Sequence, residues 1–479
     1  MEARALSVAA SQPQALNLID GQWCSGAAQR WGDSINPASA QEIGSYAASN
    51  KADAQAAIAA ARRAFERHDW SDNPVLRETL LLQWADRLAG RADLAHLLTR
   101  ENGKVLEQSR REIACAIAEL RRYTALARRC PASRRAGPGG RADVLVDAAG
   151  VVGLIVPWNM PVGILIGSLA PALAAGCTAV VKPAPQSTQV SAAVIGELHA
   201  LAALPKGVVN LVSESGHEVA RELAASASVD VLGFTGSHES GRKIALAAAP
   251  SMKKMVLALR GKACCLVFDD VDIGRVASRL AGAATLVSGQ QCSAARRILV
   301  HASRYEEMKQ ALKHALGQIV VGAGDVPGSG MGPLIDAAAL VSVGVRTEQA
   351  LDSCDEVLLR GRRPGGGLKN GFFVSPTLVA QRDCSGFAFQ EDIFGPFVVL
   401  GTFGDDSEAV ANACKGGACK TVSVWTGNPR RAARMARALR DATVWINQDA
   451  SAETPDGLIR AGGPDGMADF LRTRHIVRS

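Results

Sequence analysis

Aromatic residues make up only 4% of this chain: 7 Trp, 3 Tyr and 11 Phe among 479 residues. A core with so few rings must pack through Ala, Val and Leu. At 48% hydrophobic residues there is enough apolar material for a sizeable one. No long apolar run occupies residues 1–15 or any later stretch, so neither a signal peptide nor a membrane span is expected. No Cys-x-x-Cys pair occurs. The 11 cysteines are odd in number, without repeating spacing, and Cys264 adjoins Cys265. That argues against a zinc site or a disulfide framework and for a reducing, cytoplasmic setting. A basic run is missing too. The formal net charge is +7, but the Arg residues are scattered, so no nucleic-acid groove is indicated, and the excess supplies only a weak pull on an anionic cofactor. There is no internal repeat and no low-complexity tract.

What the chain does have is rhythm. Residues 51–68, with Asp53 as N-cap, 75–89 and 105–127 read as helices. From residue 151 short apolar strands (151–156, 179–182, 208–212 and 229–234) alternate with helices (164–175, 190–203 and 218–225). Buried strands alternating with helices imply a parallel sheet with right-handed crossovers, whose ligands sit at the strands' carboxyl ends. A second α/β half begins at 261–268 and runs to about 441. Residues 130–141 break the pattern. They contain Gly137-x-Gly139-x-x-Ala142, a formal dinucleotide fingerprint, which is rejected because no strand precedes it, no helix follows and Pro138 lies inside it.

The stretch with most chemical content is Ser288-Gly-Gln-Gln-Cys292-Ser-Ala-Ala-Arg-Arg-Ile-Leu-Val300. A helix-like run (276–287) leads in and a strand-like run (298–300) leads out. A thiol in a small-residue loop between two ordered elements is exposed and held in place, which suits a nucleophile. The competing reading is a buried structural cysteine.

Gly289-Gln290-x-Cys292-x-Ala294-x-x-Arg297 resembles the active-site cysteine signature of the aldehyde dehydrogenase superfamily, and the similarity extends from Leu18-Ile19-Asp20-Gly21-Gln22-Trp23 to the carboxy terminus. The resemblance implies an α/β fold: a Rossmann-type dinucleotide-binding domain (18–129 and 150–258), an α/β catalytic domain (259–441) and a small oligomerisation hairpin to which the tail returns, together an arm of residues 130–149 and 467–479. It implies oxidation of a small-molecule aldehyde to an acid through a Cys292 thioester, with NAD or NADP as cofactor, no metal, and a homo-oligomer (dimer or tetramer). Each strand of the first sheet ends in a matching motif. Val156-Pro157-Trp158-Asn159 is similar to the family's oxyanion motif; there Asn159 would donate to the oxyanion together with the Cys292 N–H, unless it merely caps the next helix. Lys182 would contact the adenosine ribose or a 2′-phosphate, unless it is simply solvated. Gly216 and Phe234-Thr235-Gly236-Ser237 would line the cofactor path, the latter as a pyrophosphate turn before a helix N-terminus. Asp392 and Phe394 match the pair that holds the nicotinamide ribose and ring, although Asp392 is one methylene shorter than the usual Glu.

Several family positions do not match. The general-base Glu is Ala258, and a methyl cannot take a proton from water. A Gly near the nicotinamide is Arg260, a proton-relay Lys is Ser168, an acid that binds ribose hydroxyls is Pro185, and a glycine-rich run is degraded to Gly457-Leu458-Ile459-Arg460-Ala461-Gly462-Gly463. Loss of the acid at 185 removes both a barrier to NADP and an acceptor for NAD. Thiolate attack and hydride transfer survive these losses; hydrolysis of the thioester lacks its base. Three readings are open: an NAD(P)-dependent aldehyde dehydrogenase impaired in deacylation, a coenzyme A-acylating relative, or a non-catalytic partner or scaffold.

Overall fold

The computed structural model describes residues 13–130, 132–136, 142–259, 261–415, 421–440, 442–449 and 466–477. Arg260 and Gly457–Gly463 lie outside these, as do Gly137 and Gly139 of the rejected fingerprint. Two seven-stranded sheets dominate. In the first, Val151–Val156, Thr178–Pro183 and Val209–Leu211 succeed one another outward, and the chain then returns to place Val231–Gly236 and Lys254–Leu259 on the other side of Val151–Val156. These five strands are parallel; Asn17–Ile19 and Gln22–Cys24 complete the sheet antiparallel. The reversal beside Val151–Val156 is the point at which α/β sheets open a crevice.

The first sheet was expected as alternating strands and helices, and the parallel order bears this out. Val151–Val156 and Thr178–Pro183 are buried along their whole length, which requires cover on both faces. Helices Pro161–Ala175 and Thr188–His199 provide part of it. The core is correspondingly rich in Ala, Val and Leu, with few rings. The second sheet orders Glu356–Leu359, Thr377–Ala380, Phe397–Phe403, Arg297–His301, Cys264–Val267, Thr421–Trp425 and Thr443–Ile446, all parallel except the first. Separate apolar clusters cover its two faces.

Two local expectations change. The N-cap of the helix Lys51–Glu66 is Asn50, not Asp53. Asp53 sits at the third helical position and accepts from the Asn50 N–H, closing a capping box. A strand does precede the rejected fingerprint: Ala132–Ala136 pairs antiparallel with Ala142–Ala148. The element after the glycines is a strand rather than a helix, so rejection of the match stands on that ground. The tail behaves as the family resemblance implies: Leu471–Val477 returns to pair with Ala142–Ala148, forming a three-stranded sheet. No helix among the described residues is long and apolar enough to cross a membrane.

Candidate active site

The loop between the helix Ile273–Thr285 and the strand Arg297–His301 carries Cys292. Its entry is strained. Val287, Ser288 and Gly289 have φ of 49°, 56° and 73°, a region that only glycine visits freely. Side chains and backbone from elsewhere hold the turn. Gln108 accepts from the Val287 N–H at 3.1 Å, the Ser288 hydroxyl reaches the carbonyls of Gly332 and Pro333 at 2.7 and 2.9 Å, and Gln290 accepts from the Ile335 N–H at 3.0 Å. Gly289 must be glycine for a second reason: a Cβ there would lie 2.1 Å from the Gly395 carbonyl oxygen. The Glu391–Pro396 turn therefore packs directly on the thiol loop. At the end of this framework Cys292 is an exposed residue, which sets aside the reading of a buried structural cysteine. It is nevertheless deep-set. Burial pushes its pKa above the ordinary thiol value, and the Arg296 guanidinium opposes that.

Asn159 ends the loop that follows Val151–Val156. Its amide nitrogen donates to the Gln290 carbonyl at 2.9 Å, joining the first sheet to the thiol loop. The capping alternative fails, because the helix Pro161–Ala175 begins at Met160 with no side-chain cap. An amide nitrogen has two protons, so one remains for an oxyanion. Asn102 donates to the Trp158 carbonyl at 2.7 Å, and buried Lys104 donates to the Asn159 carbonyl at 2.8 Å. Lys104 also pairs with buried Glu112, whose other oxygen accepts from the N–H groups of Val162 and Gly163 at 2.9 and 3.0 Å. Glu101 binds the start of the helix Thr188–His199 through Gln189 and Val190. Asn102 and Lys104 thus anchor the amide loop.

A cleft of about 310 Å³ opens between the sheets, lined in part by Trp158, Ser237, His238, Arg346, Asp392 and Phe394. Four of the expected cofactor residues meet there. Ser237 caps the helix His238–Ala248, and Gly236 closes the strand before it, where a Cβ would lie 2.5 Å from the Phe234 ring. Thr235 pairs in register with Ala258 on the neighbouring strand. Phe394 lies edge-on to Trp158, with centroids 5.9 Å apart, and the Arg296 guanidinium covers it at 4.9 Å. Arg296 Nη1 and Asp392 Oδ1 approach to 3.3 Å, yet neither completes a hydrogen bond. A ribose hydroxyl would give Asp392 the donor it lacks, so the donor set fits a nicotinamide nucleotide. Lys182 and Gly216 do not line this cleft. They lie further along the same sheet edge, Lys182 buried beside Glu214 rather than solvated, and Gly216 with open space where its side chain would be.

Sequence reasoning passed over Arg296, which is 2% exposed and donates to the carbonyls of Gly289 and Gln291 at 2.6 and 2.8 Å. Arg297, part of the quoted signature, points elsewhere and ties together the carbonyls of Lys262, Ala413 and Lys415. Of the mismatched positions, Ala258 and Ser168 are half-buried on the strand Lys254–Leu259 and the helix Pro161–Ala175, and Pro185 opens a short 3₁₀ turn.

The model of the aldehyde dehydrogenase family matches residues 23–475. The chain belongs to the aldehyde dehydrogenase family. Among family members it is 32% identical to a betaine aldehyde dehydrogenase of Bacillus subtilis, over 96% of each chain. It is 33% identical to an aminoacetaldehyde dehydrogenase of Pseudomonas aeruginosa, over 94% of this chain and 91% of that one. A Staphylococcus aureus betaine aldehyde dehydrogenase solved with NAD+ superposes with a TM-score of 0.90 at 30% identity, covering 97% of this chain and 95% of that one. With the family comes the reaction class, oxidation of an aldehyde with NAD or NADP as electron acceptor.

Proposed function

We propose that Cys292 is the nucleophile, that Asn159 is its oxyanion donor, and that thioester formation outruns thioester release. The Cys292 sulfur adds to the aldehyde carbonyl, and the free Asn159 amide proton and the Cys292 N–H receive the oxygen as it gains charge. A preorganised donor of this kind is worth roughly 3 kcal/mol. A nicotinamide cofactor held by the cleft residues would supply the hydride acceptor, so that the Cys292 adduct would end as an acyl thioester. Asp392, Phe394, Trp158, Ser237, Gly236, Thr235, Phe234, Pro157 and Val156 hold the cofactor along the cleft, and Lys182 and Gly216 lie towards its adenosine end. Water must then attack the thioester, and Ala258 leaves it without the base the family uses there. The observation that carries this reading is the 2.9 Å bond from Asn159 to Gln290, two residues from the accessible thiol.

In the same reading, residues 18–129 and 150–258 serve the cofactor, 259–441 serve the thiol, and 130–149 with 467–479 serve assembly. Ile476 and Val477, 40% and 78% exposed on the strand Leu471–Val477, give that arm an apolar edge suited to a second copy in a cytoplasmic dimer or tetramer. Light scattering tests this; a monomer at micromolar concentration contradicts it.

The catalytic claim is tested by mixing enzyme with excess aldehyde and NAD or NADP. A burst of about one reduced cofactor per thiol, followed by slow turnover, supports it. Full turnover without a burst removes the deacylation defect. A steady rate strongly accelerated by coenzyme A identifies a thiol acceptor instead, and no reduction across a broad aldehyde panel favours a non-catalytic partner or scaffold.

A further inference from the structure

Arg296 is spent only in part on the thiol loop. Its Nη2 donates to the carbonyls of Gly289 and Gln291, just ahead of Cys292, while Nε and Nη1 have no acceptor among the described residues. The side chain is 2% exposed, so its charge is shielded from water and its field is little damped. The guanidinium stands 4.9 Å from the centroid of the Phe394 ring, which lines the cleft. Asp392 faces it at 3.3 Å without a completed hydrogen bond. Glu391 is taken by Arg346 at 2.8 Å, and buried Arg297 adds a further cation. Burial first, then Arg297, pushes the nearby Lys262 amine down to about 7, with Arg296 adding to this and Asp392 and Glu391 opposing. Even with Lys262 discharged, Arg296, Arg297 and Arg346 stand around Asp392 and Glu391, a net positive surrounding among the described residues. The same field reaches Cys292, where Arg296 opposes the effect of burial.

A buried cation beside Phe394 treats the two redox states of a nicotinamide differently. The oxidised ring carries a positive charge; the reduced ring, one hydride richer, carries none. We propose that Arg296 biases this site toward the reduced cofactor, opposing the oxidised ring and not the reduced one. The proposal rests on the reading that Phe394 packs beside the nicotinamide. In the oxidation itself, the C–H bond of the Cys292 adduct breaks and its electron pair leaves with the hydrogen for the ring. The adduct oxygen closes to the thioester carbonyl, so the adduct is oxidised as the ring is reduced. The ring's positive charge disappears in that step, and with it the repulsion from Arg296. Arg296 thus acts through its field and exchanges no proton. Asp392 offsets only part of that field, being one carboxylate against the buried guanidinium groups of Arg296 and Arg297.

Calorimetric titration with NAD+, NADH and ADP-ribose, or with their 2′-phosphorylated forms if those bind tighter, tests it without turnover. ADP-ribose lacks the ring and reports the rest of the site. Wild-type protein should hold NADH at least about tenfold tighter than NAD+, the scale of one charge acting across roughly 10 Å at an effective dielectric of about 20. Arg296→Gln keeps a donor for the loop carbonyls and removes the charge. It should tighten NAD+ relative to ADP-ribose by on the order of tenfold, while NADH keeps its ratio to ADP-ribose. Arg296→Lys keeps the charge and should keep the wild-type ratios. An NADH to NAD+ ratio unchanged in Arg296→Gln overturns the proposal, as does equal weakening of all three ligands, which marks a purely structural role. Should Arg296→Gln not fold, the wild-type ratio decides alone, and equal affinities overturn the proposal. Phe394→Leu separates this from the reading beneath it. If that variant leaves all three affinities unchanged, the ring does not sit at Phe394 and both fail; if it weakens NAD+ and NADH while their ratio ignores Arg296, only the redox bias fails.

Discussion

Two parts of the molecule differ in how much holds them. The thiol loop and the amide loop are held by side chains from several elements. Gln108, Ser288, Gln290 and Arg296 secure the first, and Asn102, Lys104 and Glu112 secure the second. Consecutive left-handed residues such as Val287 and Ser288 cost on the order of 1 kcal/mol or more each, and persist only where their surroundings impose them. The strand Lys254–Leu259, by contrast, is exposed or half-buried along its length, and Ala258 on it carries only a methyl. Preorganisation for attack and provision for release are separable, and the proposed reading assigns the first to the held loops and the missing second to Ala258.

The comparison can be broken from either side. Ala258→Glu should have the largest effect, raising steady-state turnover by about 10² to 10⁴ while leaving the burst unchanged. An unchanged steady rate would mean that release is not limited by the missing base. Lys104→Met leaves Glu112 buried without its cation and should destabilise the protein by about 3–5 kcal/mol in denaturant titrations. Retained stability would remove Lys104 as an anchor. Asn159→Ala should slow the burst by about 10² to 10³, as read by stopped flow, and cost about 1–3 kcal/mol of stability through the lost bond to the Gln290 carbonyl. A smaller effect is expected at Arg296. Because burial raises the Cys292 pKa and Arg296 opposes it, alkylation by iodoacetamide should quicken as pH rises into the alkaline range. Arg296→Ser removes the opposing cation, so its profile should move to still higher pH, and alkylation at neutral pH should slow a few-fold. A shift to lower pH would contradict this account of the thiol.

Much of the first sheet was legible in the sequence because its strands are buried on both faces and each ends in a short motif, as at Trp158-Asn159 and Thr235-Gly236-Ser237. Asp53 was read three positions out of place because an acid at N3 and an acid at the N-cap leave similar local patterns. The strand Ala132–Ala136 was not legible locally, because its arginines and the nearby Pro and Gly hide any alternation; the family resemblance alone implied the hairpin it forms with Ala142–Ala148. Cys292 and Asn159 stood out through their motifs. Arg296 and Lys104 did not, since what matters about them is a carbonyl or carboxylate brought near by folding: Lys104 meets Asn159, 55 residues away.

The central claim is that this chain forms its thioester faster than it releases it. Rapid quench followed by intact mass measurement after one burst tests it most directly. The account predicts that most of the protein carries one acyl group, absent in Cys292→Ala, with one reduced cofactor formed for each acyl group. Reduced cofactor accumulating over many turnovers while the protein mass stays unmodified would contradict it.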